Sequence, residues 1–153
     1  MVSAQVFVWF STRAREAFDF YTAIFGATGD DVSTSGDVFF SGVVRAGGCD
    51  LVVFNGEPYG EFAFTPAISI YLTCEGQSEV DYYWNALSTG GQPGRCGWLT
   101  DPFGLSWQVV PRTFHELMAH PDPGVRERVR VAMMSMDKFD VDALLRASDT
   151  GNP

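Results

Sequence analysis

Apolar and polar positions along the first two thirds of the chain fall into short runs whose period alternates between two and 3.6 residues. Val6 to Phe10 is an apolar run that predicts a strand, with Gln5, Phe7 and Trp9 on one face and Val6, Val8 and Phe10 on the other. Ser11-Thr12 offers a helix cap, and Ala17, Phe20, Tyr21 and Ile24 follow at i, i+3, i+4 and i+7, one face of a helix that Gly26 ends. The stretch from Gly29 to Gly36 is polar and reads as a loop. Val38 to Arg45 and Asp50 to Phe54 are predicted strands joined at Ala46-Gly47-Gly48, and Asn55 to Pro66 is a longer connection.

The pattern then restarts. Ala67 to Thr73 predicts a strand, with Ile68 and Ile70 facing a helix and Ser69 and Tyr71 facing away. Ser78 opens a helix, with Asp81 placed for a capping box, and Gly90-Gly91 closes it. Its apolar stripe repeats the first one 63 residues later: Ala17 and Val80, Phe20 and Tyr83, Tyr21 and Trp84, Ile24 and Leu87. Cys96 to Pro111 is a closing hairpin with its turn at Asp101-Pro102-Phe103-Gly104. In its outgoing strand Ser106, Gln108 and Val110 share one face, and Leu105, Trp107 and Val109 the other. Strand, helix, glycine stop and hairpin recurring in one order imply an internal repeat. The fold class expected is α+β, two tandem βαβββ modules at about 4–56 and 66–111 within a paired domain 1–112. A helical extension, 113–153, follows. There Phe114, Leu117 and Met118 make one stripe. Asp122 and Pro123 start a second helix lined by Val125, Val129, Ala132, Met133 and Met136, and Val141 to Ala147 is a last helical segment.

Composition narrows the function classes. With 153 residues, 46% apolar and 19% charged, the chain is globular. Its net charge is −9 and its only lysine is Lys138, which argues against a nucleic-acid partner. No run of about 18 apolar residues exists and Met1 to Gln5 carry no basic residue, so neither a membrane span nor a signal peptide is expected. Cys49, Cys74 and Cys96 are odd in number and lack Cys-x-x-Cys spacing, as expected of reduced thiols in a cytoplasmic protein.

Two βαβββ modules, Phe20-Tyr21 in the first helix and Asp101-Pro102-x-Gly104 before the last strand resemble the vicinal oxygen chelate superfamily, the glyoxalase, extradiol dioxygenase and antibiotic-resistance fold. The chain is most similar to its PhnB-like branch, often labelled 3-demethylubiquinone-9 3-methyltransferase-like. The similarity rests on Trp9-Phe10, Glu16-Ala17, Phe54-Asn55-Gly56, Thr65 to Ser69, Glu79-Val80-Asp81, Trp84, Cys96-Gly97-Trp98, Gly104 to Pro111 and His120 to Pro123. Two positions depart from the branch: Glu57 where a second glycine is usual, and Ser11 where Asp is usual.

The resemblance implies a divalent metal held by the first and last strand of each module. Carried over, those positions are Gln5, Val52, Ser69 and Gln108. They include no carboxylate, imidazole or thiolate, so no metal and no cofactor are expected; two amides suit a neutral polar ligand instead. The histidines, His115 and His120, fall in the extension. Methyl transfer from S-adenosylmethionine would call for a glycine-rich turn after the first strand, where Ser11-Thr12-Arg13-Ala14 stands. The faces opposite the helices imply a concave surface bearing Phe7, Trp9, Phe54, Tyr71, Trp98 and Ser106. The reading is a metal-independent protein of this fold that binds a small aromatic or amphipathic molecule, and is expected to be a homodimer. The alternatives are a metal-dependent glyoxalase or dioxygenase, a demethylubiquinone methyltransferase-like enzyme, or a ligand-free interaction dimer. Gln108 is either a ligand contact or a buried residue bonded to protein backbone.

Overall fold

The computed structural model describes residues 1–26, 30–57 and 63–149. The chain divides into two compact units, Met1–Ala63 and Phe64–Pro153. The first holds β1 (Val6–Phe10), α1 (Ala14–Phe25), β2 (Asp30–Ser35), β3 (Val38–Ala46) and β4 (Cys49–Asn55), with sheet order β1-β4-β3-β2. The second holds β5 (Ile70–Cys74), α2 (Gln77–Ser88), β6 (Gln92–Pro93), β7 (Trp98–Thr100) and β8 (Ser106–Pro111), with sheet order β5-β8-β7-β6. The first and last strands of each module pair in parallel, β1 with β4 and β5 with β8, so each module is βαβββ, as the repeat implies.

In the first unit α1 packs over β3 and β4 and buries Val8, Phe10, Val44, Leu51 and Val53. Ala14, Ala17, Phe18, Tyr21 and Ile24 are its buried residues, so the apolar face is centred on Phe18 and not on the expected Phe20, which is half-buried. Phe18 stacks on Phe39 at 5.2 Å and fills the space left by Gly42, where a Cβ would stand 2.5 Å from its ring. Neither Ser11 nor Thr12 caps α1. Arg13 holds the N-cap position at φ 62° with no side-chain cap bond, while Gly26 closes the helix in the left-handed region as expected.

Residues 30–35, expected as loop, form strand β2; Gly29 lies outside the described residues. Positions 31 to 35 are polar or exposed because β2 is a sheet edge, held by its ladder to β3 and not by burial. Ser33 faces Ser41 while Thr34 faces Phe39, so Phe40 is an extra residue, a β-bulge. The bulge reverses the alternation. Phe39 turns to α1, and Phe40 joins the face away from it.

In the second unit α2 buries Val80, Trp84 and Leu87 over Trp107, Val109 and Leu99. The helix starts at Gln77 without the expected Ser78–Asp81 box. Gly76 occupies the N-cap, the Glu79 carboxylate accepts the Glu75 N–H at 2.8 Å, and Asp81 pairs instead with Gln77 and Lys138. The strand expected from Ala67 begins only at Ile70, because Thr65 to Ile68 turn back on themselves, with the Ile68 N–H donating to the Thr65 carbonyl at 3.3 Å. Ile68, expected against the helix, is therefore 60% exposed.

Asp101 organises the hairpin between β7 and β8. The Gly104 N–H closes the turn on the Asp101 carbonyl at 3.0 Å. The Asp101 side chain, only 3% exposed, accepts from the Phe103 N–H (2.9 Å), the Leu105 N–H (3.1 Å) and the Trp107 indole N–H (2.8 Å).

Three helices follow β8: α3 (Arg112–Met118), α4 (Pro123–Met134) and α5 (Val141–Ser148). Asp122 caps α4 through the Gly124 N–H at 2.8 Å, with Pro123 at the first position, as expected. Val125 and Val129 are buried, whereas Met136 lies past the helix end. The joint to the module is made by Arg95-Cys96-Gly97. The Arg95 guanidinium donates to the Met134 carbonyl (2.6 Å), the Cys96 N–H to Met136 (2.9 Å) and the Gly97 N–H to Asp137 (2.7 Å). Cys96 and Gly97 are both in the left-handed region, at φ 55° and 82°. A Cβ on Gly97 would meet the Phe139 ring at 2.6 Å and the Val109 carbonyl at 2.8 Å. The joint thus gives Cys96-Gly97 a structural role.

Candidate functional site: the open sheet faces

Each sheet has one face covered by its helix and one face turned away. On the open face of the first sheet, parallel pairing sets Phe7 beside Val52 and Trp9 beside Phe54. Phe54 is the centre of an aromatic cluster: the rings of Phe7 and Trp9 lie 5.2 Å away and that of Phe40 5.1 Å away. The Trp9 indole N–H donates to the Gly56 carbonyl at 2.8 Å, which fixes the ring on edge to Phe54. Phe7 and Phe40 remain 58% and 47% exposed. Exposed aromatic rings grouped in this way mark a binding surface more often than a packed core. Gln5 stands at the edge of the cluster's strand, exposed, with its amide 3.4 Å from Asp50. Phe40 escaped the sequence reading because only the bulge puts it on this face.

On the open face of the second sheet, Gln108 lies between two cross-strand partners, Tyr71 on β5 and Trp98 on β7. Its amide N–H donates to the Ser69 hydroxyl at 2.9 Å. Gln108 is half-buried and bonded to a half-buried side chain, not to backbone. Ser106, two residues back, is buried and opposite Thr100. Tyr71 is 45% exposed, and burial of the remainder pushes its phenol above the ordinary tyrosine value. Its hydroxyl lies 3.0 Å from Nε2 of His115 on α3. In the sequence His115 lies past the last strand, a placement that points away from the sheet faces. The one available signal was the direct run of β8 into the helix, which keeps its early residues near the sheet.

Gln5, Phe7, Trp9, Val52 and Phe54 thus belong to the first unit, and Ser69, Tyr71, Trp98, Ser106 and Gln108 to the second. The four positions that the resemblance implies as metal ligands, Gln5, Val52, Ser69 and Gln108, hold two amides, a hydroxyl and an isopropyl group. Gln5 and Ser69 are already engaged by Asp50 and Gln108. That donor set does not fit a divalent cation. Among the described residues no three His, Cys, Asp or Glu side chains cluster as a metal site, and no helix is long and apolar enough to cross a membrane.

Solved structures share this architecture. The PhnB protein from Bacillus cereus is 26% identical with a TM-score of 0.63, over 72% of this chain and 99% of that one. A protein from Pseudomonas aeruginosa is 24% identical with a TM-score of 0.62, over 71% and 98%. A glyoxalase/bleomycin resistance protein from Albidiferax ferrireducens, 17% identical with a TM-score of 0.52 over 72% and 98%, shares the fold. No protein with a curated description matches. The family model for 3-demethylubiquinone-9 3-methyltransferase matches residues 3–110, both modules from β1 to the end of β8, and the chain belongs to that family, in the PhnB-like branch of the glyoxalase fold.

Proposed function

We propose that the chain binds a small aromatic or amphipathic molecule against the open faces of its sheets, without a catalytic metal. The observation that carries this reading is the cluster around Phe54, which leaves Phe7 and Phe40 in water although both could have been polar without loss to the core. Stacking an aromatic ligand on such rings removes apolar area from water at about 25 cal/mol per Å². The open face of the second sheet has polar capacity of its own in the Gln108 amide, which bonds the Ser69 hydroxyl through one N–H and can offer its second N–H and its carbonyl. The family's name carries methyl transfer, but β1 leads into α1 through Thr12 and Arg13, without the glycine turn that cradles a nucleotide, and no strand order here is doubly wound.

Equilibrium dialysis of the full chain against bicyclic aromatics tests the reading. Binding is expected, weakened about five-fold by Phe7→Ser with an unchanged melting point, since Phe7 is mostly exposed. No binding by any member of such a panel, or stoichiometric nickel, zinc, iron or manganese in the purified protein, would overturn it. A homodimer in the cytoplasm completes the proposal, supported by Val131, Met134 and Leu145 exposed on α4 and α5 and by three free thiols. A monomer in sedimentation at micromolar concentration contradicts the dimer.

A further inference from the structure

His115 lies outside the residues matched by the family model, yet it reaches the open face of the second sheet through its 3.0 Å contact with the Tyr71 hydroxyl. Helix α3 has other anchors. That helix continues β8 without a break, Arg112 pairs with Glu75, and Phe114 packs on the buried Phe139 ring at 5.1 Å. The phenol and imidazole can share one hydrogen in two ways. Either the Tyr71 O–H donates to Nε2 and the phenol oxygen accepts from a ligand, or Nε2–H donates to the phenol oxygen and the Tyr71 O–H donates to a ligand. A group that both donates and accepts is met best by another such group, a hydroxyl. Gln108, directly across the ladder from Tyr71, adds an amide of the same dual character. Arg112, the nearest basic residue in sequence, is held by Glu75, so no free cation on α3 favours a carboxylate or phosphate.

We propose that Tyr71 and His115 form the pair that reads a hydroxyl on an aromatic molecule held at the open face of the second sheet, where Tyr71 and Trp98 flank Gln108, so that the ligand class is phenols and other ring-hydroxylated aromatics. This rests on the open faces binding aromatic molecules at all. A site built to hydrogen-bond a hydroxyl disfavours the analogue that lacks it, because its own polar groups are then left without a partner.

The test uses 2-naphthol and its methyl counterpart, 2-methylnaphthalene, in equilibrium dialysis with the full chain. 2-Naphthol is expected to bind about five- to ten-fold more tightly, the size of one or two net hydrogen bonds. Tyr71→Phe should bring 2-naphthol down to the level of 2-methylnaphthalene, and His115→Leu, which leaves the Tyr71 hydroxyl unoriented, should lose a large part of the preference; the affinity of 2-methylnaphthalene should not move in either. His115→Gln, which keeps a polar atom near the Tyr71 hydroxyl, should retain part of the preference and guards against a folding defect in the leucine variant. Equal binding of the two molecules by the unaltered protein overturns the hydroxyl reading alone. So does a preference that survives both Tyr71→Phe and His115→Leu. Binding of neither molecule overturns it together with the wider reading of the open faces.

Discussion

Asp101→Asn changes a single atom at the centre of the β7–β8 hairpin, and its cost can be worked from three bonds. The carboxylate has one oxygen on the Phe103 and Leu105 N–H groups and the other on the Trp107 indole N–H. An asparagine can keep the first pair by pointing its carbonyl there, but its NH2 then faces the indole N–H, donor against donor. Turned over, it satisfies the indole and opposes two backbone donors instead. The first arrangement is the better. Two bonds fall from charge-assisted to neutral strength, about 0.5–1 kcal/mol each, and one buried donor is stranded at about 1–3 kcal/mol. A loss of about 3 kcal/mol follows, equivalent to roughly 6–12 °C in melting point for a chain of this size. Urea unfolding followed by tryptophan fluorescence should show the midpoint falling with an unchanged slope. Trp107→Phe removes the opposed donor, so the double variant should be less unstable than the sum of the singles by about 1–2 kcal/mol. A loss under about 1 kcal/mol, or a strictly additive cycle, would refute the assignment of Asp101 as the hairpin's organiser.

Gln108→Leu should lower apo stability by less than about 1 kcal/mol, because the half-buried Ser69 hydroxyl can turn to water. Affinity for a hydroxylated aromatic should fall several-fold, and a large loss of stability with unchanged affinity would make Gln108 purely structural. Gly97→Ala should lose roughly 3 kcal/mol or more in thermal unfolding, since the added methyl meets the Val109 carbonyl and the buried Phe139 ring in a left-handed backbone; a near-neutral result would mean that the joint to the helices is loose. Cys74 should be alkylated roughly 100-fold more slowly at about pH 8.5 in the native state than in urea, because burial, aided by Glu79 and Glu75, pushes its thiol up to about 11 and leaves little thiolate. Equal rates would show that the thiol is open to solvent.

The modular plan was readable because both devices that encode it are periodic. The stripes on α1 and α2 and the alternation along β1, β4 and β8 follow from burying one face, and burial is what a hydrophobic pattern records. What escaped was whatever depends on something other than burial. Strand β2 is an edge whose residues 31–35 are exposed, so its ladder leaves no mark in hydropathy. The helix starts at Ala14 and Gln77 rely on backbone at Arg13 and Gly76, not on the hydroxyls that a cap search looks for. On the candidate faces, Phe7, Trp9, Phe54, Tyr71 and Gln108 were legible from strand parity alone. Phe40 was not, because one bulged residue reverses parity, and His115 was not, because its position depends on how α3 leaves the sheet. The repeat also concealed an asymmetry. The first module offers a cluster of phenylalanine rings around Phe54, and the second offers an amide and a phenol that meets an imidazole from α3.

The joint between Arg95-Cys96-Gly97 and the end of α4 has a consequence for how the extension can change. Main-chain carbonyls of Met133, Met134, Met136 and Asp137 accept its hydrogen bonds, so the joint recognises where the helix stops and not which side chains it carries. Substitutions at positions 134, 136 and 137 should be absorbed freely. A residue added or removed between Pro123 and Met134 would turn the helix end by about 100° and move it by about 1.5 Å, presenting the wrong carbonyls to fixed donors. The distance from the Pro123 start to the Asp137 carbonyl acts as a ruler, and the extension should drift in composition far more readily than in length.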